Sequence, residues 1–404
     1  MRVGVIGGGA AGFFSAIMVK ENYPDADVTI FEKTSHILSK VKISGGGRCN
    51  LTNAAPSIKE LCQSYPRGES RLKKAFNIFN NKDTMKWFES RGVPLTVQND
   101  NSVFPLSQDS QTIIDCFLKE AAIKKIQIVK GRGVNAIDQL GNKLQIHFSD
   151  IKISPEKFDK VIVATGGSPD IEGLKWLQKL NHKIESPVPS LFTFNIPDDT
   201  ITDLSGIVVE KTTVTIQGTN YFSEGPLLIT HWGMSGPSIL KLSSFGARFL
   251  NQRGYIFNIR VNWINESNND LIFKKLLTIS EENRAKILSN FRPYLLPERL
   301  WCHLIKKSEL PLNRKWGELG KRGLNKLLNT LTNDTYAVKG RTSFKEEFVT
   351  CGGISLENID FNTMQSKVCD NLYFAGEILD IDGITGGYNL QAAWTTGFIA
   401  AKLL

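Results

Sequence analysis

Gly7, Gly9 and Gly12 form a G-x-G-x-x-G pattern directly after the apolar run Val3–Ile6, at the head of a helical stretch that ends near Asn22. A second apolar run, VTIFE, closes on Glu32, 20 residues after Gly12. Strand, turn, helix and strand within about 30 residues make a βαβ unit, which commits this part of the chain to a parallel sheet. The first glycine permits the tight turn, the second lets backbone approach a pyrophosphate, and the third lets helix and strand pack closely. The first helical turn, with Ala10 and Ala11, then presents free N–H groups to an anion. Glu32, with Lys33 beside it, stands where an acid accepts from the ribose hydroxyls of an adenosine. A carboxylate there disfavours a 2′-phosphate, so NADP is not expected at this site.

Two later segments bear on which dinucleotide is bound. KVIVATGG (160–167) reads as a buried strand running into Ala164, Thr165 and Gly166. NLYFAGEILDIDG (371–383) reads as a strand, then Gly376, then the acid Glu377. Both resemble segments of glutathione-reductase-like flavoproteins, in which the late acid binds the ribityl chain of FAD. NAD alone has no ribityl chain and gives no reason for that acid. Two ordinary core strands with glycine turns are the plainer alternative. Behind the acid, ITGGYNLQAAW places Gly387 ahead of a helix expected to start near Asn389 or Leu390. Its N–H groups would meet the flavin's pyrimidine edge, where reduction adds negative charge; Asn389 would also serve as an ordinary N-cap.

VKISGGGRCNLTN (41–53) follows Glu32 by about a dozen residues. In a flavin fold this segment crosses the pyrophosphate and the ring edge. Its glycines, Gly47 among them, leave room for a cofactor and offer backbone N–H groups. Arg48 is placed to pair with phosphate, and Asn50 to hydrogen-bond the cofactor or the loop. Cys49 has no CxxC partner and reads as a small packing residue rather than a redox nucleophile. A flexible surface turn is the bland alternative for the whole loop.

The remaining chain sorts into further elements. Residues 70–92 and 111–124 read as helices, and strands are expected near 126–130, 133–138 and 144–148. From about Pro187, short alternating runs such as VVEKTTVTIQG suggest antiparallel strands or a barrel. Residues 266–332 look mostly helical and basic. The expected fold class is α/β: a Rossmann-like FAD-binding domain of glutathione-reductase type, residues 1–189 and 346–404. It is interrupted by a β-barrel-like insert (190–265 and 333–345) carrying a small helical subdomain (266–332).

The net charge is +9, and residues 190–345 hold most of it, with 21 basic against 13 acidic residues. An acidic substrate, RNA, a membrane surface or simply a solvated basic face would each account for that. The six cysteines show no metal-like spacing with the five histidines, so no metal site is expected. No apolar run reaches the roughly 18 residues of a spanning helix. The first 19 residues have some signal-peptide texture, but the glycine cluster has the better use above. The expected location is the cytoplasm.

SGGGRCNLTN, the N-terminal glycine pattern, THWGMSGP (230–237), FVTCGGISL (348–356) and AGEILDIDGITGGYNLQAAWTTG together resemble one family along the whole chain. It is the bacterial BaiN-type or aminoacetone-oxidase-type NAD(P)/FAD-dependent oxidoreductases. The resemblance implies FAD as cofactor, and it implies that the backbone of Val134, in GRGVNAI, meets the adenine. The family's usual T-H-T-G-L-S-G-P carries Trp232 and Met234 here in place of Thr and Leu, which would reshape a substrate pocket if that loop lines one. Hydride transfer between flavin N5 and a small organic substrate is the expected chemistry, with His231 and, less directly, Tyr388 as candidate catalytic groups. NAD(P)H remains a possible donor, although no second dinucleotide pattern is present. The alternative is an RNA-binding or RNA-modifying flavoprotein, using basic pairs such as Lys306-Lys307 and Lys321-Arg322 for phosphates and Trp301 and Trp316 for base stacking. No recognised RNA motif appears.

Overall fold

The computed structural model describes residues 1–342 and 349–404. Phe348 of the FVTCGGISL segment, and the expected boundary at 345/346, lie outside the described residues. The chain divides into two compact units, Met1–Ser190 with Phe344–Leu404, and Leu191–Ser343.

The larger unit is built on a seven-stranded sheet. Five strands run parallel in the order Leu372–Phe374, Lys160–Val163, Arg2–Ile6, Asp27–Phe31, Gln127–Val129. Two short antiparallel strands, Ile359–Asp360 and Gln365–Ser366, extend the first edge. The central strands are buried on both faces, which is why they read as unbroken apolar runs rather than alternating ones. Arg2–Ile6 lies between Asp27–Phe31 and Lys160–Val163, so the chain leaves it toward one side first and returns on the other. That reversal opens a crevice at the carboxyl ends of the strands. The register brings those ends level: Ile6 is opposite both Phe31 and Val163, and Val163 is opposite Phe374.

Two helices close one face. Ala10–Asn22 and Tyr388–Ala400 pack against each other along small residues, and a Cβ on Gly397 would fall 2.9 Å from Ser15 Oγ. The stretch expected to be one helix over 70–92 is two, Glu69–Phe76 and Asn81–Glu89. The break is local chemistry: the Asn80 side chain accepts from Lys82 N, and Asp83 accepts from Asn80 N, forming a fresh N-cap. A three-stranded antiparallel sheet, Val134–Leu140, Lys143–Phe148 and Glu156–Phe158, packs beneath the parallel one through Ile146 and Phe158, both in contact distance of a Cβ on Gly4.

The smaller unit holds a seven-stranded sheet, antiparallel throughout. Its edge strands, Asp334–Lys339 and Arg341–Thr342, are separated in sequence by Gly340 alone, so the sheet must curl until its edges meet. Helices Asn269–Glu282, Glu298–Lys307 and Gly320–Thr332 share its apolar core. Trp301 and Trp316 lie in that core, fully buried and stacked with ring centroids 6.2 Å apart. They are unavailable to nucleic-acid bases, which corrects the stacking role expected of them. Helical spacing alone does not tell an aromatic pointing inward from one pointing outward. Lys307 of the expected phosphate-binding pairs is likewise committed, ion-paired to the buried Asp334, which also accepts from Trp263 Nε1.

Candidate functional site

Four segments of the larger unit emerge at the carboxyl edge of its parallel sheet. The first is the glycine turn. Gly7 has φ +115°, and a Cβ there would lie 2.3 Å from the carbonyl oxygen of Ala164. A Cβ on Gly12 would lie 1.9 Å from the carbonyl oxygen of Gly7, so helix and turn meet at backbone contact. Around Gly9 a Cβ would meet nothing within 4 Å among the described residues. The backbone there is bared toward open space, ahead of a 13-residue helix whose first turn carries no acid. A phosphate suits this position.

Glu32 ends the neighbouring strand. Its Oε2 accepts from Gly8 N at 2.9 Å, and its Oε1 from Thr34 N at 2.8 Å. With a third bond from Thr34 Oγ1 to Oε1 at 2.9 Å, these fix the carboxylate beside the glycine turn, half-buried, with Oε2 keeping acceptor capacity for one further hydroxyl. Lys33 is exposed. The loop ahead of Val134 is tied to the same place, since Arg132 N donates to Glu32 O and Gly131 N to Thr34 O.

The third segment is Ala164–Gly167, and it faces the fourth. A Cβ on Gly167 would fall 2.8 Å from Glu377 Oε1, and one on Gly166 would lie 4.0 Å from Oε2. Thr165 is exposed. Gly376, at φ +78°, turns the chain directly over the first helix, where a Cβ would lie 2.8 Å from Ala11 Cβ. Its N–H is held by Thr396 Oγ1 of the last helix at 2.8 Å. Glu377 accepts from Thr350 N at 3.0 Å and from Lys40 Nζ at 2.7 Å.

The loop 41–53 is no loose turn. Gly45, Gly46 and Gly47 have φ of +59°, +68° and +83°, a left-handed run that only glycine enters without strain. Cβ atoms on Gly46 and Gly47 would meet nothing within 4 Å among the described residues, so this bend too is open to them on its outer side. Asn50 is anchored through Nδ2 to Ser102 Oγ at 3.0 Å, while its buried Oδ1 has no hydrogen-bond partner among the described residues and faces Gly387, where a Cβ would stand 2.7 Å away. Cys49 is fully buried in the left-handed region, and burial pushes its thiol up to about 12. That agrees with packing and leaves no reactive thiolate. Arg48, expected on phosphate, is turned back: Nε donates to Gly45 O at 3.2 Å and the guanidinium lies 4.3 Å over the Phe104 ring.

The last helix starts at Tyr388, with Gly387 at φ +88° as N-cap, one residue ahead of the expected start. Asn389 does not cap it. Its side chain instead clasps Gly383, accepting from Gly383 N at 2.8 Å and donating to Gly383 O at 2.9 Å. Leu390 is half-buried. Tyr388 packs edge-on against Tyr65, whose hydroxyl donates to Tyr388 O at 2.7 Å. Burial raises the Tyr388 phenol above its usual range, which keeps it protonated at neutral pH.

His231 lies in the smaller unit, exposed, edge-on to Trp232 at 4.3 Å. Met234, expected to reshape a pocket, is fully buried between Phe194 and Ile229 in the sheet core. Of the two departures in THWGMSGP, only Trp232 keeps any exposure.

The sequence reading missed several polar groups of this crevice. Lys40, Thr350, Tyr65 and the Arg67–Asp382 ion pair reach it or its borders only through tertiary contact. Gly167 and Asp382 stood inside quoted motifs and could have been found there.

Taken as a cradle, the crevice offers two bared glycine bends, an acid with free acceptor capacity at each side of the phosphate position, and a helix N-terminus beyond. Its donor and acceptor set fits FAD, a diphosphate flanked by two polyols and ended by a flat heterocycle.

Residues 1–403 match the family described as HI0933-like protein Rossmann domain. A 3-dehydro-bile acid delta(4,6)-reductase from Clostridium scindens is 27% identical across 99% of this chain and 98% of its own. A ribosomal RNA dihydrouridine synthase from Haemophilus influenzae is 24% identical across 98% and 96%. The solved 3-ketosteroid delta1-dehydrogenase of Sterolibacterium denitrificans superposes with a TM-score of 0.51 at 10% identity, covering 99% and 98%. At that identity the likeness speaks to the fold alone.

Proposed function

Because the chain belongs to the HI0933-like Rossmann flavoprotein family of FAD-dependent oxidoreductases, we propose that it moves a hydride between bound FAD and a carbon–carbon double bond of a small organic substrate. The observation that carries the cofactor placement is the meeting of the glycine turn, Ala164–Gly167, the Gly376–Glu377 corner and the first and last helices at one sheet edge. The bond class comes from the relatives: a delta(4,6)-reductase and a dihydrouridine synthase are both named for adding hydrogen across a double bond.

Bound FAD supplies a two-electron carrier at N5. The chain supplies the rest. The N–H groups of Gly9, Ala10, Ala11 and Gly12 would hold the diphosphate, and Glu32 would accept from the adenosine ribose, with Lys33 and the Val134 backbone bordering the adenine. Ala164, Thr165 and Gly166 line the middle of the crevice, where Glu377, set by Gly376, would accept from ribityl hydroxyls. Gly47 and Gly387 would give backbone room to the ring. The helix start at Tyr388, Asn389 and Leu390 would lend its dipole to the pyrimidine edge, where positive potential stabilises added electrons. The protonated Tyr388 phenol holds a proton for the substrate carbon, and His231 is the second candidate for that transfer.

Glu32→Ala removes the ribose acceptors and one constraint on the glycine turn. FAD affinity should fall by about tenfold to a hundredfold, the worth of one or two charge-assisted hydrogen bonds. Titration of the apoprotein followed by flavin fluorescence checks this, and unchanged affinity removes Glu32 from the ribose.

The reaction is tested anaerobically. The purified protein should show a flavin absorption band, lose it with NADH or NADPH, and regain it on adding an α,β-unsaturated ketone or an enoate. A protein with no flavin and no affinity for FAD ends the cofactor placement. Reoxidation by a uridine-containing RNA and by no small enone would transfer the double-bond chemistry to a nucleobase. His231→Ala should slow reoxidation by the substrate about a hundredfold, the ordinary worth of one positioned acid–base group, while the flavin band stays intact. An unaltered rate excludes His231 from proton transfer.

A further inference from the structure

His182 belongs to none of the segments used above. It follows the helix Lys175–Gln178 of the larger unit and is buried, 3% exposed, with its ring edge-on to Phe374 at 5.0 Å. Nδ1 lies 3.2 Å from Leu177 O, which can only accept, so Nδ1 carries the proton. Nε2 lies 2.8 Å from Ser366 Oγ. That hydroxyl already accepts from Val368 N at 3.1 Å and from Cys369 N at 3.0 Å, which fills both of its lone pairs. Its single hydrogen therefore goes to Nε2. The neutral tautomer is fixed from both ends of the ring.

These bonds join two parts of the sheet edge. Ser366 ends the short strand Gln365–Ser366, in which Gln365 pairs with Tyr373. Phe374 N donates to Met364 O at 3.0 Å, and the strand ending at Phe374 runs directly into the Gly376–Glu377 corner. The next residue holds the other side: Lys183 N donates to Asn358 Oδ1 at 2.7 Å, and Lys183 O accepts from Ser355 N at 2.9 Å. The charged groups around this turn are engaged elsewhere or exposed. Lys183 pairs with Glu185 and Glu357, Lys175 pairs with Glu172, and Lys367 Nζ donates to Glu357 O. Lys160 Nζ donates to the Tyr373 hydroxyl, Asp360 accepts from Asn362 N, and Lys179 and Asp370 are exposed. The Cys369 thiol, pushed up to about 11 by burial, stays neutral. Among the described residues no carboxylate hydrogen-bonds the ring, and burial holds the imidazole below its ordinary range. A second proton, on Nε2, would meet the Ser366 hydroxyl with no lone pair left to receive it.

We propose that His182 is an acid-sensitive latch: its neutral Nδ1–H form clamps residues 355–369 to the edge of the parallel sheet, and protonation releases them. The latch does not depend on the FAD placement. The unfolded imidazole titrates near about 6.5 and the folded one lower, so below that pH the unfolded state binds more protons. The ratio of closed to open forms then falls by up to about tenfold per pH unit, until the folded ring itself takes the proton. Because the released segment borders the strand leading to Glu377, that strand loses its outer neighbour first in acid.

The test uses the full chain as purified. Nitrogen-15 shifts of labelled histidine, assigned by loss of one signal in His182→Gln, read the tautomer and the titration. Amide exchange followed by mass spectrometry, corrected for intrinsic rates, reads the release. His182 should show the Nδ1–H tautomer at pH 7.5 and titrate below the exposed histidines. Between pH 7 and 5, exchange over 355–375 should rise about tenfold more than over Arg2–Ile6. His182→Gln, whose amide oxygen keeps an acceptor for Ser366 and does not titrate, should lose that acid response. Ser366→Ala, which removes the O–H aimed at Nε2, should move the His182 titration up toward the ordinary value; it serves also if His182→Gln does not fold. An Nε2–H tautomer, an unchanged titration in Ser366→Ala, no extra exchange in acid, or the same acid response in His182→Gln would each overturn the latch.

Discussion

Gly12→Ala should yield a protein that has lost most of its FAD affinity and melts roughly 6 °C lower, the shift expected for about 3 kcal/mol in a unit of this size. The added methyl would stand 1.9 Å from the carbonyl oxygen of Gly7. Both partners are backbone, so no rotamer change relieves the overlap. The first helix must back away from the strand Arg2–Ile6, and the crevice opens with it. Ala11 and Gly376 are in contact distance at the next position, so the displacement is passed to the Glu377 corner. The loss of affinity should thus exceed that of Glu32→Ala, which disturbs one end only. Differential scanning fluorimetry with and without FAD checks both parts. A variant with unchanged melting and full flavin content would show that the helix and turn do not pack as described.

Arg67→Met should destabilise the larger unit by about 3–5 kcal/mol at neutral pH, the cost of leaving one member of a buried ion pair alone. Asp382 is fully buried, Arg67 is 10% exposed, and Ser190 Oγ donates to the same carboxylate at 2.6 Å. Burial raises the Asp382 carboxyl above its ordinary range, with Arg67 and the hydrogen bonds opposing that rise. Removing Arg67 removes the opposition. The neutral acid is then the form favoured by folding, folding takes up a proton, and stability falls as pH rises above the ordinary carboxylate value of about 4. The gap between variant and unchanged protein should accordingly narrow as pH is lowered from 8 to 5 in urea unfolding. A gap independent of pH would mean that Asp382 is already neutral beside Arg67. Arg67→Met/Asp382→Leu should recover much of the loss, since two apolar side chains leave no charge to bury.

The parallel-sheet half of the fold was legible because its signals are local. Buried parallel strands are continuous apolar runs, and the glycine pattern, the acid at Glu32 and the turns at Gly166 and Gly376 each announce themselves within a few residues. The FAD-binding Rossmann class follows from them. The 70–92 helix was less legible, because its break depends on Asn80 and Asp83 side chains competing for backbone, a choice that apolar spacing does not record. The tryptophans of 266–332 misled for a related reason: a stacked pair in a core and a stacking platform on a surface have the same spacing.

By itself, then, the sequence determined where the backbone must be bare. Three successive left-handed residues at 45–47, backbone contact at Gly12 and the sharp corner at Gly376 admit glycine and little else, so composition and conformation are the same statement there. Only the tertiary structure decided which charges face the bared backbone. Lys40 meets Glu377 across 337 residues while Arg48, inside the motif, turns to Phe104. A long side chain goes where folding brings an opposite charge or an aromatic face within reach, and no neighbour along the chain fixes that direction.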